Sequence, residues 1–411
     1  MTLPVIESLT HTALLLVEIG VAVPALYLAT VTSAALWASR RRQPQLALDH
    51  TDQEWPQLLA LVPAHNEEAL IGRLLENLAQ LHYPRARLAV YVIADNCDDA
   101  TVAIAGAFAG AHAWAHVLER TDAQRRGKGY AIRWALERLQ ATGVAYDACV
   151  LFDADSLVDA DCLLALAAAY QRGADAVQGQ YAVSNAFATP STSLRWLALT
   201  LMNHVRQLGR STLGASSALT GNGMLFSRAL LERHPWNAFG LTEDYQYYID
   251  LVEHGERVRY APDALVRAEM PTTFTQMRSQ DERWESGLER STGAIALSLL
   301  RAAVRQRSAA PLEAVVELLT PPLSLLVGLA TVTLLAALAL VWLPALIFAL
   351  AIWACVGFYI GSALWLERPP LAFYRALLYA PLYLCWKLWV KIVVVRLPHR
   401  SREWVRTSRI G

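Results

Sequence analysis

Ala148-Cys149-Val150-Leu151-Phe152-Asp153-Ala154-Asp155 decides how this chain is read. Five apolar residues run without a polar break and stop at two carboxylates one residue apart. A short continuous apolar run bounded by turn signals is read as a strand buried on both faces. Close carboxylates repel each other and lose hydration unless a cation compensates them. Oxygen ligands suit Mg2+ or Mn2+, and these ions also bridge to phosphates. Two turn aspartates, or a cap for a helix running from Asp159, account for the same residues.

The pattern repeats upstream. Leu58–Val62 is a second apolar run, ending at Pro63, and Leu88–Ile93 a third, followed by Asp95. Trp114–Leu118 reads as another strand. Helical periodicity fills Glu68–Leu81 and Gly129–Leu139. Strands alternating with helices predict an α/β domain with a mostly parallel sheet covered on both faces. Ligands of such sheets bind beyond the carboxyl ends of the strands, where Asp95 and Asp153 fall.

Polar clusters occupy the connections. Pro63-Ala64-His65-Asn66-Glu67 joins strand to helix and can meet a base or ribose; turn chemistry explains it equally. Asp95 can accept from a base edge or a sugar hydroxyl. Arg125-Arg126-Gly127-Lys128-Gly129 opens a helix, where backbone amides attract anions and Lys128 adds a point charge; an exposed basic loop is the other reading. Thr220-Gly221-Asn222-Gly223 is a tight turn that lets the backbone approach a ligand. Thr242-Glu243-Asp244 starts a helix through His254, terminated by Gly255. The acids complement the helix dipole, and Asp244 is placed to act as a base with Glu243 in support. Gln280, Arg283 and Trp284 share one helical face. Arg283 can fork onto diphosphate oxygens and Trp284 can stack on a sugar ring; an amphipathic helix with a snorkelling tryptophan is the alternative.

The flanks differ from this centre. Of the 411 residues 55% are hydrophobic, and the excess lies at the two ends. Thr12–Ala38 is long enough for a hydrocarbon core that takes about 20 residues. Glu7, with no Lys or Arg before the apolar run, favours an uncleaved anchor over a signal peptide. Arg40–Arg42 then place the following domain in the cytoplasm by the positive-inside rule. Leu318–Leu340 and Trp342–Trp365 predict a transmembrane hairpin. Leu371–Val395, with Lys387 and Lys391, reads as a surface helix or a further span. The expected domains are an anchor over 1–45, the α/β domain over 46–305 and a membrane region over 306–411 with a basic cytoplasmic tail. The 36 basic and 36 acidic residues cancel, which argues against nucleic-acid binding driven by charge. Five cysteines without a CxxC pair suggest neither a disulfide framework nor a zinc site.

Taken in order, Pro63–Glu67, Asp95, Lys128-Gly129, Asp153-Ala154-Asp155, Thr242-Glu243-Asp244 and Gln280–Trp284 resemble the membrane-integrated members of glycosyltransferase family 2. Cellulose, hyaluronan and chitooligosaccharide synthases belong to that group. The resemblance covers roughly residues 56–300. It implies a GT-A fold and inverting, metal-dependent transfer from a UDP-sugar to a growing glycan at a bacterial plasma membrane. Pro63, His65, Glu67, Asp95, Lys128, Asp153, Gln280 and Arg283 would bind the donor, with Asp95 at the uracil. Asp155, with Asp153, would coordinate the metal, and Asp244 would take the acceptor proton. Trp284 and the Gly221-Asn222-Gly223 loop would line the acceptor; polysaccharide synthases often carry a cysteine where this chain has Asn222. Transfer of one sugar to a lipid, a polyprenyl phosphate or ceramide-like acceptor, is the alternative. A non-catalytic scaffold and a secondary transporter are weaker readings. The resemblance names no sugar and no partner subunit.

Overall fold

The apolar run before Asp153 folds as strand β4 (Ala148–Leu151), with all four residues buried. In this computed structural model residues 3–41, 55–273 and 292–396 are described. Strand β1 (Leu58–Ala64) lies between β4 and β2 (Leu88–Asp95), parallel to both, with Leu58 opposite Leu88 and Ala148. Strand β3 (Ala115–Arg120) extends the parallel half beyond β2 and sets Arg120 opposite Asp95. Four strands running one way bring their carboxyl ends to one edge, so Ala64, Asp95, Arg120 and the residues after Leu151 gather there.

Helix α2 (Ile71–Leu78) buries Ile71, Leu74, Leu75 and Leu78 in the sheet core. Helix α3 (Thr101–Ala111) packs on β3, and α4 (Lys128–Ala141) on β1 and β2. Leu58, Leu59, Leu61 and Val62 have no exposed surface. Burying each such side chain contributes about 1.5–3 kcal/mol. The helix expected over 68–81 is shorter because Leu70 and Ile71 both donate to the Glu67 carbonyl, making a turn first.

Beyond β4 the sheet is mixed. Strand β5 (Ser156–Val158) follows the acidic turn, and after helix α5 (Cys162–Gln171) comes β6 (Ala176–Val183). Strands β7 (Met224–Ser227) and β8 (Val258–Ala268) complete the order β3-β2-β1-β4-β7-β6-β8-β5. Strand β7 is antiparallel to β4 and to β6; β8 is parallel to β6 and antiparallel to β5. Hydrophobic pattern alone passes over β6 and β8. The first carries Gln178-Gly179-Gln180 at its centre. The second contains Pro262-Asp263, taken up where the register slips from Gly179–Ala261 to Gln180–Leu265.

Among the described residues this sheet unit is one of two compact units. The other is helical: α1 (Leu3–Arg41), Phe187–Leu213, and the described residues from Leu312 on. Phe187–Leu213 lies inside the stretch expected to be α/β domain, yet clusters with the helices of the chain ends. It forms α6 (Pro190–Thr200), a π-helical turn over Leu201–Arg206, and α7 (Gln207–Thr212).

Among the described residues two helices are long and apolar enough to cross a membrane, Ile6–Arg41 and Leu343–Glu367. Ala309–Leu319 and Leu323–Ala339 make a third if counted as one span, bent by 69° at the intervening prolines. The break at Thr320-Pro321-Pro322 divides the first arm expected of the hairpin. Leu371–Val395 folds as Leu371–Ala376 and Ala380–Arg396, joined by a 3-10 turn.

The helical unit holds a buried ionic network. Arg210, with no exposed side chain, places Nε and Nη2 at 2.7 and 2.9 Å from the two oxygens of Glu313. Arg206 reaches Glu317 at 2.9 Å, and the Tyr27 hydroxyl donates to both glutamates. Two arginines face two glutamates, so the cluster is charge-balanced.

Candidate active site

The N-terminus of α4 carries the cation of the site. Lys128 Nζ lies 2.6 Å from Asp153 Oδ1, donates at 2.6 Å to the Gly221 carbonyl, and stands 3.4 Å from Glu243 Oε1. Strand β4 delivers Asp153, α4 delivers Lys128, and α8 (Glu243–Glu253) delivers Glu243 and Asp244 as its first two residues. Thr242 stands at the N-cap without a side-chain capping bond, so the capping role open to it is not used. The start of α4 approaches the loop before the Glu243 helix so closely that a Cβ on Gly129 would sit 2.0 Å from the Ala238 carbonyl. Only glycine fits there.

Gly221 adopts φ +82°, and a Cβ on it would lie 3.0 Å from Asp244 Oδ2 and 3.6 Å from Lys128 Nζ. The Gly221 backbone therefore passes directly beside the proposed base. Lys128, Asp153, Gly221, Glu243 and Asp244 form one cluster.

Among the described residues three carboxylates surround the Lys128 ammonium. Burial works against the Lys128 charge, but Asp153, Glu243 and Asp244 outweigh it and hold its pKa above the usual lysine value. Burial raises the Glu243 pKa, with Lys128 pulling the other way. Asp244 is pushed up to about 7, first by burial and then by the Glu243 charge, against the opposing pull of Lys128. A carboxylate poised there can exchange a proton near neutrality.

Asn222 has no exposed surface. Its Oδ1 accepts from the Asp153 N–H at 3.2 Å and its Nδ2 donates to Ser156 Oγ at 2.8 Å. Gln178 completes the turn: its Nε2 donates to the Asn222 carbonyl and its Oε1 accepts from the Thr220 N–H. The Asn222 side chain thus fixes the acidic turn. Nothing in the pattern of β6 separates Gln178 from Gln180, the other polar residue of the strand.

The strand ends beside this cluster hold the other expected donor residues. Asp95 is buried, and its Oδ1 accepts from Arg120 Nη1 at 2.5 Å and from Asn96 Nδ2 at 2.9 Å. Burial raises the Asp95 pKa, while Arg120 and His65 oppose the rise. The His65 Nδ1–H donates to the Asp95 carbonyl at 2.7 Å, and the Glu67 N–H donates to Thr101 Oγ1 at 2.7 Å. Pro63 is half-buried near the end of β1. Gly223, at φ +65°, ends the turn before β7. Gln280, Arg283 and Trp284 lie outside the described residues.

The donor set is one of hard oxygens. Asp155 is half-buried on the turn two residues beyond Asp153. Among the described residues no three His, Cys, Asp or Glu side chains are grouped to hold a metal by themselves. Mg2+ is characteristically held by one or two carboxylates, with phosphates and water completing its shell. The acidic turn fits that habit, and the surplus of negative charge around Lys128 favours a cation.

A mixed sheet whose parallel half ends at an acidic turn, met by a carboxylate pair opening a later helix, is a GT-A fold. The family description "Glycosyltransferase like family 2" matches residues 56–287, more than half of the chain, and the chain belongs to that family. The probable glycosyltransferase YdaM of Bacillus subtilis (strain 168) is 27% identical over 238 residues, 57% of this chain and 56% of the relative. A β-monoglucosyldiacylglycerol synthase of Trichormus variabilis is 32% identical over 238 residues, 56% of this chain and 49% of its own length. Glucomannan 4-β-mannosyltransferase 7 of Arabidopsis thaliana is 23% identical over 249 residues, 57% of this chain and 43% of its own. The chain spans about half the length of these curated relatives. In fold it resembles the mannosyltransferase PcManGT of Pyrobaculum calidifontis, solved with GDP-Man and Mn2+ (TM-score 0.55, 21% identity, 87% of this chain and 97% of that one).

Proposed function

We propose that the protein transfers a sugar from a UDP-sugar to a membrane-held acceptor, in one inverting step with Asp244 as the base. The observation that carries this reading is Asp244 beside Gly221, in a cluster where one lysine serves three carboxylates. The acceptor hydroxyl gives its proton to Asp244 as its oxygen bonds to the anomeric carbon. The bond from that carbon to the diphosphate oxygen breaks, and the nucleoside diphosphate leaves with the electron pair. Lys128 and Arg283 meet the charge developing on the leaving group. Asp155, with Asp153, would hold Mg2+ or Mn2+, which supplies further charge neutralisation at the diphosphate. Gln280 grips the diphosphate with Arg283, and Asp95, with the Pro63–Glu67 loop, receives the base. The sheet unit faces the cytoplasm of a bacterial plasma membrane, as Arg40–Arg42 suggest.

A lipid acceptor receiving one sugar is the first reading, because a relative at 32% identity is named as a glucosyldiacylglycerol synthase. A growing glycan is the second, favoured by Trp284 and by the relative named for glucomannan. Purified protein is incubated with a panel of UDP-sugars, plus GDP-mannose as the contrasting donor, in Mg2+ or Mn2+, and released nucleotide is measured. EDTA should abolish release and added Mn2+ restore it. Chloroform-soluble product of one added sugar supports the lipid acceptor; a size ladder supports the glycan. No release from any donor, with lipid and sugar acceptors both supplied, defeats the proposal.

A further inference from the structure

We infer that Arg120 is a positioning residue for the donor: one buried guanidinium fixes both the carboxylate at the base end and the turn that leads to the diphosphate end. Arg120 is 6% exposed at the end of β3. Its Nη1 donates to Asp95 Oδ1 at 2.5 Å; its Nη2 donates to Asp122 Oδ2 at 2.9 Å and to the Arg125 carbonyl at 2.7 Å. Asp122 carries the tie further. Its Oδ1 accepts from the N–H groups of Gln124 and Arg125, each at 3.0 Å, and its own N–H donates to Asn96 Oδ1 at 2.8 Å. Three residues past Arg125 the chain reaches Lys128, which holds Asp153 and the Gly221 carbonyl.

One planar fork therefore spans a strand end and a loop. A lysine has a single point of charge and cannot span both. Register adds to the tie: Asp95 and Arg120 are opposite each other in the parallel pair, and the Asn96 N–H donates to the Arg120 carbonyl at 2.8 Å. Arg120 does not touch the reacting atoms. Its effect belongs to donor affinity and to the choice of base, not to the chemical step. The inference rests on the proposed reading that Asp95 receives the base.

Arg120→Met and Arg120→Lys are compared with wild type in full-length, detergent-purified protein. Arg120→Met should raise the donor KM at least tenfold, the range expected when a buried charged hydrogen bond is lost. It should leave kcat at saturating donor within threefold and acceptor KM unchanged. Arg120→Lys should fall between. Should Arg120→Met fail to fold, Asp122→Asn retains the Asp95 pair and should raise donor KM about threefold. Competition by UDP and GDP, read as binding constants in Mn2+ without turnover, gives a second measure: Arg120→Met should narrow the wild-type preference between them. That binding measure stands even if no acceptor is found, so its outcome is separate from the transferase reading. A variant with lowered kcat and unchanged donor KM, or one that keeps the wild-type preference for base, overturns the inference.

Discussion

Two ionic clusters among the described residues differ in their charge arithmetic. In the helical unit Arg206 and Arg210 face Glu313 and Glu317, two charges against two, with the Tyr27 hydroxyl donating into the network. In the sheet unit, among the described residues, Lys128 faces three carboxylates, Asp153, Glu243 and Asp244. The balanced cluster satisfies itself: each arginine has its glutamate, and the helices that carry them are held together. In this second cluster the described acids outnumber the lysine, and Asp244 is pushed up to about 7, first by burial and then by the Glu243 charge. The balanced cluster fits a structural role, and the acid-rich one is the site proposed above for a cation and a proton. The contrast predicts which substitutions cost activity and which cost the fold.

The largest effect should come from Asp244→Asn, which keeps shape and removes the proposed base. Turnover should fall about 10²–10⁴-fold, measured as released nucleotide, with donor binding retained. Arg210→Met should do the reverse: about 3 kcal/mol of stability lost, because the half-buried Glu313 loses its fork to a fully buried arginine. Thermal unfolding in detergent measures this, and the double variant Arg210→Met with Glu313→Leu should recover most of it. If no such recovery follows, the balanced cluster is not merely structural. Lys128→Met should lower kcat/KM for the donor about a hundredfold, and no neutralising partner should rescue it.

Smaller effects follow from Asp244 itself. With its pKa near 7, kcat should rise with pH through neutrality and level off above, since only the ionised form takes a proton. The sign for stability is opposite. An acid whose folded pKa lies above its unfolded value stabilises the fold at low pH and loses that contribution as pH rises through about 7. Asp244→Asn should therefore raise the melting temperature at pH 8 by roughly 2–4 °C and leave it nearly unchanged at pH 4. An Asp244→Asn protein that melts lower at pH 8 would remove surplus charge as the cause.

Much of this was legible in the residues. Continuous apolar runs at 58–62, 88–93 and 148–152 read as buried strands, and the parallel half of the sheet followed, with Ala89 and Tyr91 of the second only half-buried. Thr242-Glu243-Asp244 at a helix start was equally readable. What escaped was set by contacts distant in sequence. Strand β8 hides behind Pro262-Asp263, which is tolerated because β6 shifts register opposite it. Arg120 looks like an ordinary charged residue at a strand end; only its place opposite Asp95 makes it a tie. Asn222 stood as an acceptor contact in the sequence reading, and its amide turns out to be engaged by the Asp153 backbone and Ser156. Phe187–Leu213 carries no long apolar run, and only packing against α1 reveals its unit, with Gly209 pressed to the Val31 backbone.

The linear order of residues by itself determined the strand cores, the apolar helices and the kinds of chemistry available, because hydrophobic period and local charge are properties of neighbours along the chain. The tertiary structure alone decided which carboxylates share Lys128, which arginines are matched by glutamates, and that Asp244 holds its proton to neutrality. Those outcomes depend on burial and on distances across the fold, and charges interact through space irrespective of their separation in sequence.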